Sequence, residues 1–401
     1  MAFKFGNETS IALDSPERMF QDFSDRTLKG LLTYQGRVLA EYQAEGLDQP
    51  DVAFKLPTGS GKTLVGLLIA DWRRRRFGER TVYLCPTNQL VNQVVNEAHL
   101  KYGMRGCVHS FTGSQKSYDP SAKSKFQSGD LVAVTSYAAL FNVRPFFDEP
   151  HLIILDDAHA AENYLIGFWT LSVQRAKEAH QALFQALAGV LQSVLSEHDA
   201  KRLTSAARSP WDYYWVEKIP AERFAEIQAE FTAIVDAHVA ETDLRYPWSV
   251  IRDHLGACNL YVGSQEIAIR PLIPPTHRHW PFRQAKQRIY MSATLGEGGD
   301  LERLTGTKKI HRLGVPDDLN THGVGRRFFV FPGRSLSDSD QAQVLRKAIH
   351  GSGKAVVLVP DFRTANKVIE EVCKPLGFEA FTADQIESSK TAFVNRSKRS
   401  P

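Results

Sequence analysis

The feature that most constrains this chain is a glycine turn set between an apolar strand and an apolar helix. Val52–Leu56 reads as a short buried strand, Pro57-Thr58-Gly59-Ser60-Gly61-Lys62-Thr63 follows, and Leu64–Trp72 carries an apolar helical pattern. Glycines let backbone N–H groups turn inward with no Cβ in the way. The helix that starts there adds the positive end of its dipole, so the unit suits a polyphosphate. Lys62 can reach the β- and γ-phosphates, and the Thr63 hydroxyl can bind Mg2+. The longer form of this pattern has a glycine where Leu56 stands, so the match is to a shorter TGxGKT form.

Strands and helices then alternate. Thr81–Cys85 reads as a strand and Asn88–His99 as a helix, with further short strands at Gly106–Phe111, Leu131–Thr135 and His151–Leu155. That spacing predicts a parallel α/β sheet. Upstream, Leu28, Leu31, Leu32, Val38, Leu39 and Tyr42 predict a helix over Arg26–Tyr42. The run Leu152–Leu155 ends in Asp156-Asp157-Ala158-His159. Acidic residues at the end of a parallel strand sit where such a sheet presents its ligands. Asp156 is expected to hold Mg2+ through water, and Asp157 to orient or deprotonate an attacking water. An isolated Asp pair is more often a helix cap. The glycine turn upstream is what makes this pair a site.

From about residue 160 to 253 the pattern becomes helical, with helices expected over Ala176–Ser196 and Ala221–Ala240. Strand signals return at Asn259–Val262, Glu266–Ile273 and Gln287–Ser292, the last running into Ser292-Ala293-Thr294. A second α/β stretch starts at Arg327. It has strands at Phe328–Phe331, Ala355–Val359 and Glu379–Phe381 and helices at Ser337–His350 and Arg363–Lys374. A length of 401 residues fits two to three domains. With 43% hydrophobic and 23% charged residues, a mostly disordered chain is excluded. No apolar stretch approaches the roughly 20 residues of a membrane helix. The N-terminus MAFKFGNETS does not read as a signal peptide, so a cytoplasmic protein without membrane contact is expected. Cys85, Cys107, Cys258 and Cys373 lie far apart, which suggests neither a zinc ribbon nor a disulfide framework. The net charge of +4 is compatible with nucleic acid but too weak to argue for it.

Taken in order, these segments resemble the motifs of superfamily 2 nucleic-acid helicases of the DEAD/DEAH group. Tyr34-Gln35 resembles the upstream adenine-contacting glutamine motif, and Pro57–Thr63 resembles motif I. Pro86-Thr87-Asn88-Gln89-Leu90-Val91-Asn92-Gln93 resembles motif Ia, and Asp156–His159 resembles motif II, with DDAH in place of DEAH. Ser292-Ala293-Thr294 resembles motif III, and Val356–Pro360 resembles motif IV. The resemblance covers about residues 28–159 and 284–382.

It implies a RecA-like parallel sheet over 1–159 plus 284–296, a mainly helical insertion over 160–283, a linker over 297–325 and a second, incomplete RecA-like domain over 326–401. It also implies ATP held with Mg2+ by Gln35, Thr58, Gly59, Ser60, Gly61, Lys62 and Thr63, with Thr63 and Asp156 on the metal. Lys62, Asp156, Asp157 and His159 would act in hydrolysis. Single-stranded DNA would be met by Pro86, Thr87, Gln93, Thr112, Gly113, Thr135 and Ser136, mostly through phosphate. Ser292, Ala293 and Thr294 would couple the two sites.

Three departures shape the expectation. Asp157 is one methylene shorter than the family's glutamate, so hydrolysis is expected to be slower. More than a hundred residues between His159 and Ser292 resemble the XPD/DinG-like branch, which often carries a four-cysteine iron–sulfur cluster. Only Cys85 and Cys107 lie between motifs I and II, so no cluster is expected. The chain ends at Pro401, before motifs V and VI. An arginine finger is worth about 10³–10⁵ in turnover. ATP binding with little turnover is therefore the second reading, unless a partner chain supplies the missing half. An unrelated P-loop phosphotransferase is a third reading, against which the SAT and PTxxLxxQ segments count. Weaker features have plainer expectations. Arg73–Arg76 reads as a solvated helix end, Trp211, Tyr213, Tyr214 and Trp215 as core, and His277 and His279 as a loop pair.

Overall fold

The computed structural model describes residues 12–57, 59–205, 213–314, 334–352, 356–359 and 361–382. Thr58, Trp211, the expected strand Phe328–Phe331 and the basic end Asn395–Pro401 lie outside the described residues. The chain divides into two compact units, Met1–His322 and Gly323–Pro401.

In the first unit the strands, in chain order, are β1 (Asp51–Lys55), β2 (Thr81–Cys85), β3 (Val108–Phe111), β4 (Val132–Ser136), β5 (Leu152–Asp156), β6 (Leu171–Gln174), β7 (Val216–Ile219), β8 (Cys258–Gly263), β9 (Glu266–Pro271), β10 (Gln287–Ser292) and β11 (His311–Leu313). Seven of them form one sheet in the order β11-β1-β10-β5-β2-β4-β3, and every pair in it is parallel. Both faces are covered, which is why the strands read as continuous apolar runs rather than alternating ones. Tyr83, Ile154, Ile289 and Met291 pack on one face with Leu64, Leu67 and Leu68 of α3 (Lys62–Phe77) and Val91 of α4 (Asn88–Leu100). Val82, Leu84, Ile153, Leu155 and Tyr290 point to the other face, among Tyr137, Leu140, Leu165 and Trp169.

The helix expected over 26–42 is shorter. It spans Thr33–Glu41 (α2), because the Leu32 N–H donates to Gln35 Oε1 at 3.0 Å and closes the first turn there. Leu28 and Leu31 still pack against the core from outside the helix. Residues 160–283 connect β5 to β10, which pair directly, with Leu155 opposite Tyr290. This segment contains α7 (Ala161–Phe168), α8 (Gln181–Leu191), α9 (Glu197–Thr204) and the helix Ala221–His238, which packs on α8. It also holds an antiparallel sheet in the order β6-β9-β8-β7. Two of the expected strand positions are its central strands β8 and β9. Its edges, β6 and β7, carried no strand signal.

In the second unit, Asp338–Ser352 and Phe362–Val368 are helices, the latter capped by Asp361, whose Oδ1 accepts the Thr364 N–H at 2.7 Å. The expected strands 355–359 and 379–381 are corrected: among the described residues, 356–359 and 378–382 adopt no regular strand. A parallel strand exists only through its neighbours' hydrogen bonds, and Val356 and Leu358 are exposed.

Candidate functional site

Three adjacent strands, β1, β10 and β5, deliver the expected residues to one rim of the sheet, since all run the same way. β1 leads into the glycine turn, β5 ends at Asp156, and β10 ends at Ser292. The Leu56 N–H donates to Ser292 O at 2.9 Å, tying the turn's entry to β10.

Gly59 and Gly61 adopt φ of 82° and 78°. At Gly61, which opens α3, a Cβ would also collide with Gln35 Nε2. Two donors hold the turn's Ser60 carbonyl, the Tyr34 hydroxyl at 2.7 Å and Gln35 Nε2 at 2.9 Å. Gln35 is buried, with both ends of its amide engaged, so here it braces the turn. Burial raises the Tyr34 hydroxyl pKa, keeping it a donor. Ser60 Oγ is buried without a hydrogen-bond partner.

Lys62 Nζ lies 2.8 Å from Asp157 Oδ1. Asp157 has φ 49°, the one positive φ at a non-glycine among the described residues. Aspartate tolerates that left-handed conformation better than most side chains. Asp156 is differently placed. Its Oδ2 accepts from the Tyr83 hydroxyl at 2.8 Å, its Oδ1 from the Asp157 N–H at 3.0 Å, and its carbonyl from the Tyr137 hydroxyl at 2.8 Å. Loss of water raises the Asp156 carboxyl pKa above the ordinary carboxylate value, and the Tyr83 hydrogen bond opposes that rise. His159 Nδ1 lies 2.7 Å from Ser292 Oγ, which also accepts the Thr294 N–H at 3.1 Å. Ser292 is buried, Ala293 half-buried and Thr294 exposed.

An ATP–Mg2+ complex can be tested against these groups. The orphaned Ser60 hydroxyl, the positive-φ glycines, the Lys62 ammonium and the Asp156 carboxylate are a donor and acceptor set that fits it. Tyr83 and Tyr137 went unrecognised in the sequence. Their signal is positional only: Tyr83 sits opposite Ile154 in the β2–β5 register, on the face that carries Asp156.

The remaining candidates end neighbouring strands on the same rim. Pro86 and Thr87 follow β2, and Thr87 Oγ1 caps α4 by accepting the Leu90 N–H at 3.2 Å. Gln93 lies half-buried on α4. Thr112 and Gly113 follow β3, and Gly113 has φ 79°. Ser136 ends β4, half-buried. Thr135 is corrected: it is fully buried and donates to Phe111 O at 2.6 Å, so it ties β4 to β3 instead of facing a ligand.

Other expectations change as well. Arg73 and Arg74 are buried, not solvated. Arg73 pairs with Glu79 at 2.6 Å and Arg74 with Asp71, because the last turn of α3 lies against the sheet. Tyr213 and Tyr214 are 56% and 80% exposed, not core. His279 is buried against Phe141 with ring centroids 4.9 Å apart, and burial lowers its pKa to about 4, while His277 is exposed, so the two do not converge. Cys85, Cys107, Cys258 and Cys373 are free thiols. No helix among the described residues is long and apolar enough to cross a membrane.

No curated protein matches the sequence. Solved structures similar to this chain include an XPD helicase, at 17% identity over 86% of this chain and 75% of that one, with a TM-score of 0.46. An apo XPD matches at 18% identity over 88% and 76%, with a TM-score of 0.47. Xpd4 of S. tokodaii matches at 14% over 85% and 74%, with a TM-score of 0.48. The family model for DEAD/DEAH box helicases matches residues 33–185, from the start of α2, through the glycine turn and Asp156–His159, into α8. Residues 33–185 of this chain are thus similar to the DEAD/DEAH box helicase family, over a stretch that takes in the glycine turn after β1 and the acidic pair after β5.

Proposed function

We propose that the chain binds ATP with Mg2+ and couples its hydrolysis to movement along a nucleic-acid strand, single-stranded DNA in the first instance. The observation that carries this reading is the convergence of Lys62, the Asp156–Asp157 pair and the His159–Ser292 contact at the ends of three adjacent strands. The turn's backbone N–H groups and Lys62 bind the phosphates. Thr63 and Asp156 would hold the cation, which when bound neutralises phosphate charge. Asp157, released from Lys62, orients the attacking water and accepts its proton. Ser292, the last residue of β10, touches both His159 and Thr294, so a shift of His159 reaches Thr294 through it. Pro86, Thr87, Gln93, Thr112, Gly113 and Ser136 would meet the strand along the same rim. In this reading 1–159 with 284–296 is the first motor domain, 160–283 an insertion that could clamp the strand, 297–325 a linker, and 326–401 part of the second domain.

The test is ATP hydrolysis by the purified chain, with and without single-stranded DNA, beside Lys62→Ala. The expected result is DNA-stimulated turnover that Lys62→Ala lowers at least about 100-fold. Turnover indifferent to Lys62→Ala would overturn the reading. Nucleotide binding without turnover would leave a binding module and remove the motor.

A further inference from the structure

We propose that Tyr83 is a positioning residue for the divalent cation, acting through Asp156; this rests on the nucleotide reading above. Tyr83 lies in the middle of β2, fully buried, and is absent from every motif the sequence resembles. Its ring runs beneath α3 at Gly66. A Cβ there would come within 2.9 Å of Tyr83 Cε2 and 2.6 Å of Met291 Cε. The missing side chain at Gly66 is thus what lets the ring reach the rim. There its hydroxyl donates to Asp156 Oδ2 at 2.8 Å.

One buried hydroxyl therefore holds a carboxylate expected on the cation. Asp156 Oδ1 is already held by the Asp157 N–H at 3.0 Å, so Tyr83 fixes the second oxygen and with it the carboxylate's rotation. The Lys62 ammonium pairs with Asp157. Partners that orient a metal-binding carboxylate commonly change metal affinity by about 10-fold or more when removed.

The test is binding of a fluorescent ATP analogue to the full chain across a Mg2+ titration, and again in EDTA. Tyr83→Phe is expected to raise the half-saturating Mg2+ about 10-fold, with affinity in EDTA unchanged. In an Asp156→Asn background the same exchange should add nothing, as required of a residue that acts through Asp156. An unchanged Mg2+ midpoint overturns the proposal. So does an equal loss with and without Mg2+, which is what a ring that merely packs would give. Wild-type binding that ignores Mg2+ and Lys62→Ala would sink the nucleotide reading itself, and this is seen before any Tyr83 exchange is made. Should Tyr83→Phe fail to fold, Gly66→Ala presses on the same ring. It must then shift the Mg2+ midpoint in the same direction, or the proposal falls.

Discussion

Lys62 and Asp157 form an ion pair that cannot survive the function proposed for either. The ammonium must leave Asp157 to reach phosphate, and the carboxylate must leave Lys62 to face water. At 2.8 Å, with Lys62 mostly buried and Asp157 about a third exposed, the pair competes directly with nucleotide for Lys62. Asp157→Asn keeps the shape and the left-handed backbone, which asparagine also tolerates, but removes the charge. The expected outcome is nucleotide affinity equal to or tighter than wild type, with single-turnover hydrolysis lower by about 10²–10⁴, the usual worth of a positioned acid or base. Weaker binding would mean that the pair supports the turn and does not compete with the ligand. Asp157 and Lys62 were legible from residue type and order alone. Tyr83 was not, because no local pattern marks a tyrosine that acts across two strands; only the β2–β5 register sets it beside Asp156.

The elements show the same division between local and non-local information. α3 announces itself by its glycine entry and apolar run, yet its end misleads. A run of four arginines looks solvated, but Arg73 is 7% exposed and donates to Glu79, Tyr42 and Gln287 at 2.6, 2.9 and 2.6 Å. Gln287 opens β10 and Tyr42 caps α2, both far from Arg73 in sequence, and only Glu79, in the loop before β2, lies near it. The same holds for β6 and β7. They are four-residue edges, held by pairing with β9 and β8, and strand propensity is too weak a signal when packing decides the outcome. The buried Arg73–Glu79 pair gives an energetic prediction. Glu79→Ala leaves the Arg73 guanidinium buried with neutral partners only, and breaking one side of such a pair costs about 3–5 kcal/mol. Urea denaturation should show that loss as a lower midpoint with an unchanged slope. A loss under about 1 kcal/mol would mean that water reaches Arg73 and that the pair is not a structural clamp.

At the scale of the whole first unit, one rim of a parallel sheet carries two candidate sites. The candidate phosphate-binding residues lie at the ends of β1, β10 and β5, and the strand-contact candidates at the ends of β2, β4 and β3. From β10 to β3 is four inter-strand steps, roughly 19 Å at about 4.8 Å each. The two sets meet where β5 pairs with β2 and are farthest apart at β3. The sheet order decides this geometry, and it was the part least available from sequence, because chain order puts β10 last but one while space puts it second from β11. The strand side can be tested where a charge is tolerated by the fold. Ser136 ends β4 and stands before the short helix Tyr137–Leu140, with no side-chain cap bond. Aspartate is as good a residue there as serine, so Ser136→Asp should fold normally. Set beside a phosphate backbone, the new carboxylate repels it. Binding of labelled oligothymidylate should weaken about 10-fold at low salt, by simple like-charge repulsion across a few ångströms. The difference should shrink as salt shortens the screening length toward about 3 Å at 1 M, while ATP-analogue binding without DNA stays at the wild-type value. Equal oligonucleotide affinity at every salt concentration would move the strand off the β4 rim.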